Sequence, residues 1–416
     1  MDYQLEALPN GIKYIYREVN HTKIAHCGII LDIGSRDENE NEIGLAHFWE
    51  HMAFKGTKKR KAFHILNRID SLGGELNAYT TKEKICFYSS TLNNHLEKSL
   101  ELLTDITFSS VFPERQLVLE RNVVLEEISM YFDSPEDAIQ DEFDSMIFQD
   151  HTLGNNILGT EKTVRNFTRE QLMQFIANNL DTDRIIFSFS GSMPFRQVRK
   201  LMEKHVGKLP AYKCKRVRHK PQKYIPGARS IYRPIMQSHG VLGKPAYHLT
   251  HPERVPFFLM NNLLGGSGLN TRLNLSLREK YGFVYSVDAI YNAYTDTGIF
   301  SVFFASEPSK VDKCYQLILK EFKKLKERPL GTVQLHQAKE QLIGQMAMSE
   351  ENNVAMMLSM AKRILDTGYI EPFDEVIDKI RGITSKKIQE IANECLVEEE
   401  FSYLTLKPEQ ENGLHT

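Results

Sequence analysis

The tetrapeptide Asn77-Ala78-Tyr79-Thr80 occurs twice in this chain, returning as Asn292-Ala293-Tyr294-Thr295, and its surroundings return with it. Each copy precedes an apolar, strand-like run: Ile85-Cys86-Phe87-Tyr88 in the first half, Ile299-Phe300-Ser301-Val302-Phe303-Phe304 in the second. Each run leads to a helix of matching apolar, acidic and basic character. These are Leu96-Glu97-Lys98-Ser99-Leu100-Glu101-Leu102-Leu103 and Val311-Asp312-Lys313-Cys314-Tyr315-Gln316-Leu317-Ile318. A long-period repeat of this kind marks duplication of a whole domain. It restricts the chain to folds that one half-length unit can adopt twice.

Within the first copy, strand and helix patterns alternate. Residues 12–16 and 25–33 read as strands, 34–41 as a polar turn, and 62–72 as an amphipathic helix stopped by Gly73-Gly74. A pair of strands over 77–90, a helix over 95–107, a long helix over 114–131 and a strand over 184–190 follow, with a mixed segment at 134–169. No Rossmann punctuation accompanies them, so the pattern predicts an α+β fold. Between Leu209 and Gly227 the composition changes. Lys213, Lys215, Arg216, Arg218, Lys220 and Lys223 crowd between Pro210, Pro221 and Pro226. Like charges and prolines keep a segment solvated and extended, which predicts an interdomain linker rather than a functional basic patch. The expected division is 1–209, a linker over 210–226, and 227–416.

Composition narrows the partners. With 41% hydrophobic residues, 25% charged residues and a net charge of −2, the chain is ordinary globular material and unsuited to bulk electrostatic binding of nucleic acid. No apolar run is long enough to insert in a membrane. The first residues lack the basic and apolar regions of a secretory signal, and a cytoplasmic protein is expected. Cys27, Cys86, Cys214, Cys314 and Cys395 are odd in number and widely spaced, as reduced thiols are.

The chemistry concentrates in Gly44-Leu45-Ala46-His47-Phe48-Trp49-Glu50-His51-Met52-Ala53-Phe54-Lys55-Gly56-Thr57. On a helix, His47 and His51 lie one above the other and can reach one metal ion, with Glu50 beside them to handle water. This is the inverted form of the His-Glu-x-x-His zinc motif. A catalytic zinc site needs a third protein ligand, a carboxylate or histidine from another element. In Leu119-Glu120-Arg121-Asn122-Val123-Val124-Leu125-Glu126-Glu127-Ile128, Glu120 and Glu127 share one helix face and Glu126 points about a quarter turn away. Phe48 and Trp49 read as packing residues. Counting back from Asn292 by the spacing that separates His47 from Asn77 lands near Asn262-Leu263-Leu264-Gly265-Gly266, where there is no histidine pair. The second copy therefore has no metal motif. Its Gly265-Gly266-Ser267-Gly268 lacks the Gly-Lys-Ser/Thr ending of a phosphate loop.

These strings resemble the pitrilysin family of zinc peptidases, which includes insulin-degrading enzyme and the mitochondrial processing peptidase. The resemblance covers nearly the whole chain and is closest to the half-length, two-domain members. Trp49 departs from the leucine more usual at that position. The resemblance implies two antiparallel-rich mixed sheets packed with helices in a clamshell arrangement. It implies one Zn2+ per chain on His47, His51 and Glu127, with Glu120 orienting a ligand histidine and Glu50 as the base. It implies substrate pairing along an edge strand containing Asn77, Ala78 and Tyr79. The segment Gly265–Tyr285 is also worded like the family's, and the resemblance assigns Arg278 and Tyr285 to the substrate carbonyl and developing oxyanion.

The activity so implied is zinc-dependent endopeptidase action on oligopeptides or short unfolded polypeptides. The implied assembly is a homodimer, with a heteromeric partner of the same family as the other possibility. A family member can also persist as a catalytically silent structural or peptide-binding subunit. The presence of every ligand here favours the enzyme.

Overall fold

The computed structural model describes residues 3–214 and 216–409, so Lys215 of the basic segment lies outside it. The first half contains β1 (Gln4–Ala7), β2 (Lys13–Glu18), β3 (Ile24–Leu31), α1 (Leu45–Ala53), α2 (Ala62–Asp70), β4 (Glu75–Thr80), β5 (Ile85–Leu92), α3 (Leu96–Phe108), α4 (Glu114–Asp133), α5 (Pro135–Ile147), α6 (Glu161–Asn166), α7 (Arg169–Asn179), β6 (Ile185–Gly191) and α8 (Phe195–His205). The second contains β7 (Ala228–Arg233), β8 (Ser238–Ala246), α9 (Arg254–Gly265), a π-helical segment (Asn274–Lys280), β9 (Val284–Ala293), β10 (Gly298–Ser306), α10 (Val311–Glu327), α11 (Thr332–Glu351), α12 (Asn353–Thr367), α13 (Phe373–Gly382), α14 (Ser385–Cys395) and β11 (Ser402–Pro408). The α+β class expected from the sequence is the class observed.

Topology makes the duplication visible. One sheet has the order β1-β2-β6-β3-β5-β4, the other β7-β11-β8-β10-β9. Without β1 the two orders correspond strand for strand. In each, a single parallel pair (β2 with β6, β7 with β11) sits beside antiparallel neighbours. The motif helix α1 lies between β3 and β4, and α9 lies between their counterparts β8 and β9.

Two compact units result, and they are not the contiguous spans 1–209 and 227–416. One comprises residues up to 130, 155–219 and 348–370; the other takes 131–154, 220–347 and 371 onward. The reason lies in the sheets, each apolar on both faces. In the first unit, Ala25, Cys27, Ile29 and Leu31 of β3 point into the larger core with α1 and α3. Ile30 points the other way, with Ile15, Cys86 and Ile186, and needs separate cover. That cover is α12, through Met356, Met360, Ala361 and Ile364, and the Ser188 hydroxyl donates to the Met357 carbonyl at 2.7 Å. In the second unit, α5 does the same, with Ile139, Phe143 and Ile147 against Val241, Ile299, Leu404 and Leu406. Each sheet is thus completed by a helix from the opposite half of the sequence. Burying a large aliphatic side chain contributes about 1.5–3 kcal/mol, so two exposed sheet faces would be costly.

The basic segment differs from a solvated linker. Its described residues form no helix or strand, yet the Arg216 and Arg218 side chains are each only 8% exposed. They lie against Asp32 and against Asp37, whose side chain is fully buried, with Arg218 at 2.9 Å from Asp32 and 2.7 Å from Asp37. Residues 34–41 are not merely a polar turn either, since Ser35, Arg36 and Glu38 are buried. All five cysteines are free thiols, as expected. Among the described residues, no helix is long and apolar enough to cross a membrane.

Candidate metal centre

Helix α1 starts abruptly, and the residues before it account for that. Gly44 has a φ of +96°, open to glycine at little cost, and a β-carbon there would stand 2.6 Å from the Gly159 backbone. The buried Glu38 carboxylate accepts the backbone N–H groups of Gly44 at 2.9 Å and Ala46 at 2.7 Å. It thereby satisfies donors that a helix start leaves without partners, while burial pushes its own carboxyl well above the usual range against the pull of those two N–H groups. Phe48 and Trp49 are fully buried and anchor the helix in the core, as their packing role requires.

The anchored helix directs His47 and His51 to one point, and α4 brings Glu127 to the same point. The three ligand atoms are His47 Nε2, His51 Nε2 and Glu127 Oε2, separated by 3.2 Å between the histidines and by 3.7 and 3.4 Å from each to the carboxylate. Ligands about 2.0–2.1 Å from a tetrahedral ion lie roughly 3.3–3.4 Å from one another. The observed triangle matches three vertices of such a tetrahedron and leaves the fourth to a non-protein ligand. Among the described residues this is the one group of three or more such side chains close enough to share a metal. Glu126, its neighbour, is exposed.

Glu120 sits in the inward stripe Leu117, Glu120, Val124 and Ile128 of α4, a carboxylate among aliphatic positions. It contacts His51 Nδ1 at 2.9 Å and Lys55 Nζ at 2.6 Å. Holding the second ring nitrogen in this way orients the ligand and raises its basicity. Burial opposes ionisation of Glu120, but His51 and Lys55 hold its carboxyl below the usual range. Burial also opposes a proton on His51, but Glu120 and Glu127 outweigh it and raise the ring to about 9. Burial, reinforced by His51, pushes His47 down to about 4. His47 is thereby held neutral at pH 7, the form a metal ligand needs, while a metal would have to displace a proton from His51. Burial raises the Glu50 carboxyl, against the Thr80 hydroxyl that donates to its Oε2 at 2.6 Å.

That last bond joins the motif helix to the sheet edge. Among the described residues, strand β4 pairs only with β5 and ends its sheet, with Asn77 opposite Tyr88, Ala78 opposite Phe87 and Tyr79 opposite Cys86. Asn77 is exposed, whereas Ala78 packs on the core and the Tyr79 ring lies under Lys362 of α12 at 4.8 Å. In the second unit, the Arg278 guanidinium lies 5.5 Å from the centre of the Tyr285 ring, and Tyr285 is 82% exposed. The sequence assigns no role to Glu38, Lys55 or Thr80, although Lys55 stands in the motif string and Thr80 in the repeated tetrapeptide. Their roles depend on what tertiary packing places beside them.

Similarity to known proteins identifies the family. The insulinase model of peptidase family M16 matches residues 13–161, and the model of the M16 inactive domain matches 166–342. An uncharacterized zinc protease, YmxG, of Bacillus subtilis is 30% identical over 390 residues, covering 94% of this chain and 95% of that protein. An uncharacterized zinc protease of Streptomyces coelicolor is 31% identical over 396 residues, covering 94% and 86%. Among solved structures, a protease from Helicobacter pylori shares the fold with a TM-score of 0.90 at 21% identity, covering 98% of this chain and all of that one. A peptidase M16 inactive domain from Pseudomonas fluorescens has a TM-score of 0.89 at 19% identity, covering 98% and 99%. Aligned to such relatives over nearly its full length, the chain belongs to the insulinase family of peptidases, M16.

Proposed function

We propose that this chain is a zinc-dependent endopeptidase that hydrolyses oligopeptides or short unfolded polypeptides, with one Zn2+ held by His47, His51 and Glu127. The observation that carries the proposal is the ligand triangle itself, sized for a tetrahedral ion and adjoining Glu50. Zinc bound there would supply Lewis acidity, polarising the scissile carbonyl and acidifying water. Glu50 takes the proton of the attacking water and returns it to the leaving amine. Its raised carboxyl suits both halves of that exchange. Glu120, backed by Lys55, is the positioning residue for His51. The outer edge of β4 takes the peptide as an added strand, with Asn77 facing solvent while Ala78 and Tyr79 face the protein. Arg278 and Tyr285 donate to the substrate carbonyl as negative charge develops on it.

Two further readings go with the enzyme. A homodimer is the economical assembly, because one chain carries both the metal centre and the Arg/Tyr pair. A cytoplasmic location suits five thiols that form no disulfide. The test is elemental analysis for zinc, combined with cleavage of a quenched fluorescent peptide library by wild type and Glu50→Gln. Stoichiometric zinc in both, with cleavage lost only in the variant, supports the enzyme. Zinc without cleavage in wild type would leave the silent peptide-binding subunit as the better reading.

A further inference from the structure

Duplication lets the metal centre be compared with its own counterpart. The spacing between the repeated tetrapeptides carries His47 onto Asn262 of α9. On the long helices, the register Leu117, Glu120, Val124 of α4 recurs as Leu335, Ala338, Leu342 of α11, which puts Ala338 where Glu120 stands. An amide and a methyl group thus replace the imidazole and the carboxylate. Between α9, the π-helical segment, α10 and α11 lies a cavity of about 480 Å³, and both Asn262 and Ala338 line it. That volume is within the usual range for small-molecule sites, roughly 300–1,000 Å³.

The walls of this cavity favour the opposite charge from the metal centre. Arg272, Lys280, Lys320 and Lys324 line it against one carboxylate, Glu321. Glu321 is buried and already engaged by Arg272 at 3.2 Å and Lys324 at 2.5 Å. Lys280 and Lys320 have no carboxylate partner among the described residues. Four cations and one anion therefore share a concave, partly apolar site in a chain whose net charge is −2. Such walls concentrate the field and attract an anion.

We infer that this cavity binds a small organic anion, whose carboxylate or phosphate group meets Lys280 and Lys320. The test is isothermal titration of the full chain with inorganic phosphate and, separately, with acetylglutamate. Saturable one-site binding of either probe is expected, with affinity falling at least tenfold in Lys280→Glu/Lys320→Glu. Tighter phosphate binding identifies a phosphate ligand, tighter acetylglutamate binding a carboxylate ligand. Both lysines are exposed, so the double variant should fold, and circular dichroism checks it. Absence of binding by both probes up to about 10 mM, or equal affinity in the double variant, would overturn the inference. Zinc content and cleavage are separate readouts, so its failure is distinguishable from failure of the peptidase reading.

Discussion

Replacing Glu120 by Gln probes the metal centre without touching a ligand. The amide keeps the shape and still fills the space beside His51 Nδ1 and Lys55 Nζ, at 2.9 and 2.6 Å in the wild type. It removes the charge that makes both contacts charge-assisted, and such bonds contribute about 1.5–3 kcal/mol each. His51 would lose one of the two carboxylates that raise its pKa, so its orientation and basicity as a ligand both fall. Loss of an outer partner of this kind costs about 10–100-fold in metal affinity, equivalent to about 1.4–2.7 kcal/mol. The assay is competitive zinc titration against a chromophoric chelator, with circular dichroism to show that Glu120→Gln is folded. Glu126→Gln is the internal control. It removes the same charge from the same helix at an exposed position, and zinc affinity should stay within twofold of wild type, about 0.4 kcal/mol. Equal zinc affinity in wild type and Glu120→Gln would refute the positioning role, and equal losses in both variants would reduce the effect to general electrostatics.

Other perturbations separate structure from chemistry. Glu38→Ala leaves two buried N–H groups at the start of α1 without acceptors, and urea denaturation should show a loss of about 2–4 kcal/mol. Tyr285→Phe and Arg278→Lys should lower kcat/KM on a fluorogenic peptide at least tenfold while zinc stoichiometry is unchanged; unaltered kinetics in both would remove the pair from the site. Asp32 gives a pH signature. Burial disfavours its charge, but Lys84, Arg218 and Arg184 outweigh that and hold its folded-state pKa below the unfolded value of about 3.9. Its contribution is therefore complete above about pH 4 and is lost as pH falls below that, toward the depressed folded pKa. The stability gap between wild type and Asp32→Asn, measured by urea unfolding, should be largest at pH 7 and shrink toward pH 3. A gap independent of pH would contradict the pairing.

What could be read before folding was whatever a local period encodes. His47 and His51 are four apart and Glu120 and Glu127 seven apart, so the helix repeat alone places each pair on one face. The duplication was equally legible, because two copies of one fold keep similar spacing, and the matching sheet orders follow from it. The exchange of α5 and α12 was not. An amphipathic helix shows that it needs an apolar face to cover, without showing which of two sheets it will cover.

The same limit explains the charged segments. Lys213 to Lys223 and residues 34–41 have the composition of solvated chain, and composition carries no information about a partner far away in sequence. Arg218 is 186 residues from Asp32, and only the folded sheet brings them to 2.9 Å. Burying a charge is costly unless a counter-charge is already there, so their burial was decided jointly, by the tertiary structure. By itself the sequence determined the chemistry available here: two imidazoles, two carboxylates and a nearby glutamate, borne on helices whose period is known. The tertiary structure decided which of these groups converge, what holds them, and that Asn262 and Ala338 at the duplicate position line a basic cavity. Convergence depends on contacts between distant segments, and no local period records those.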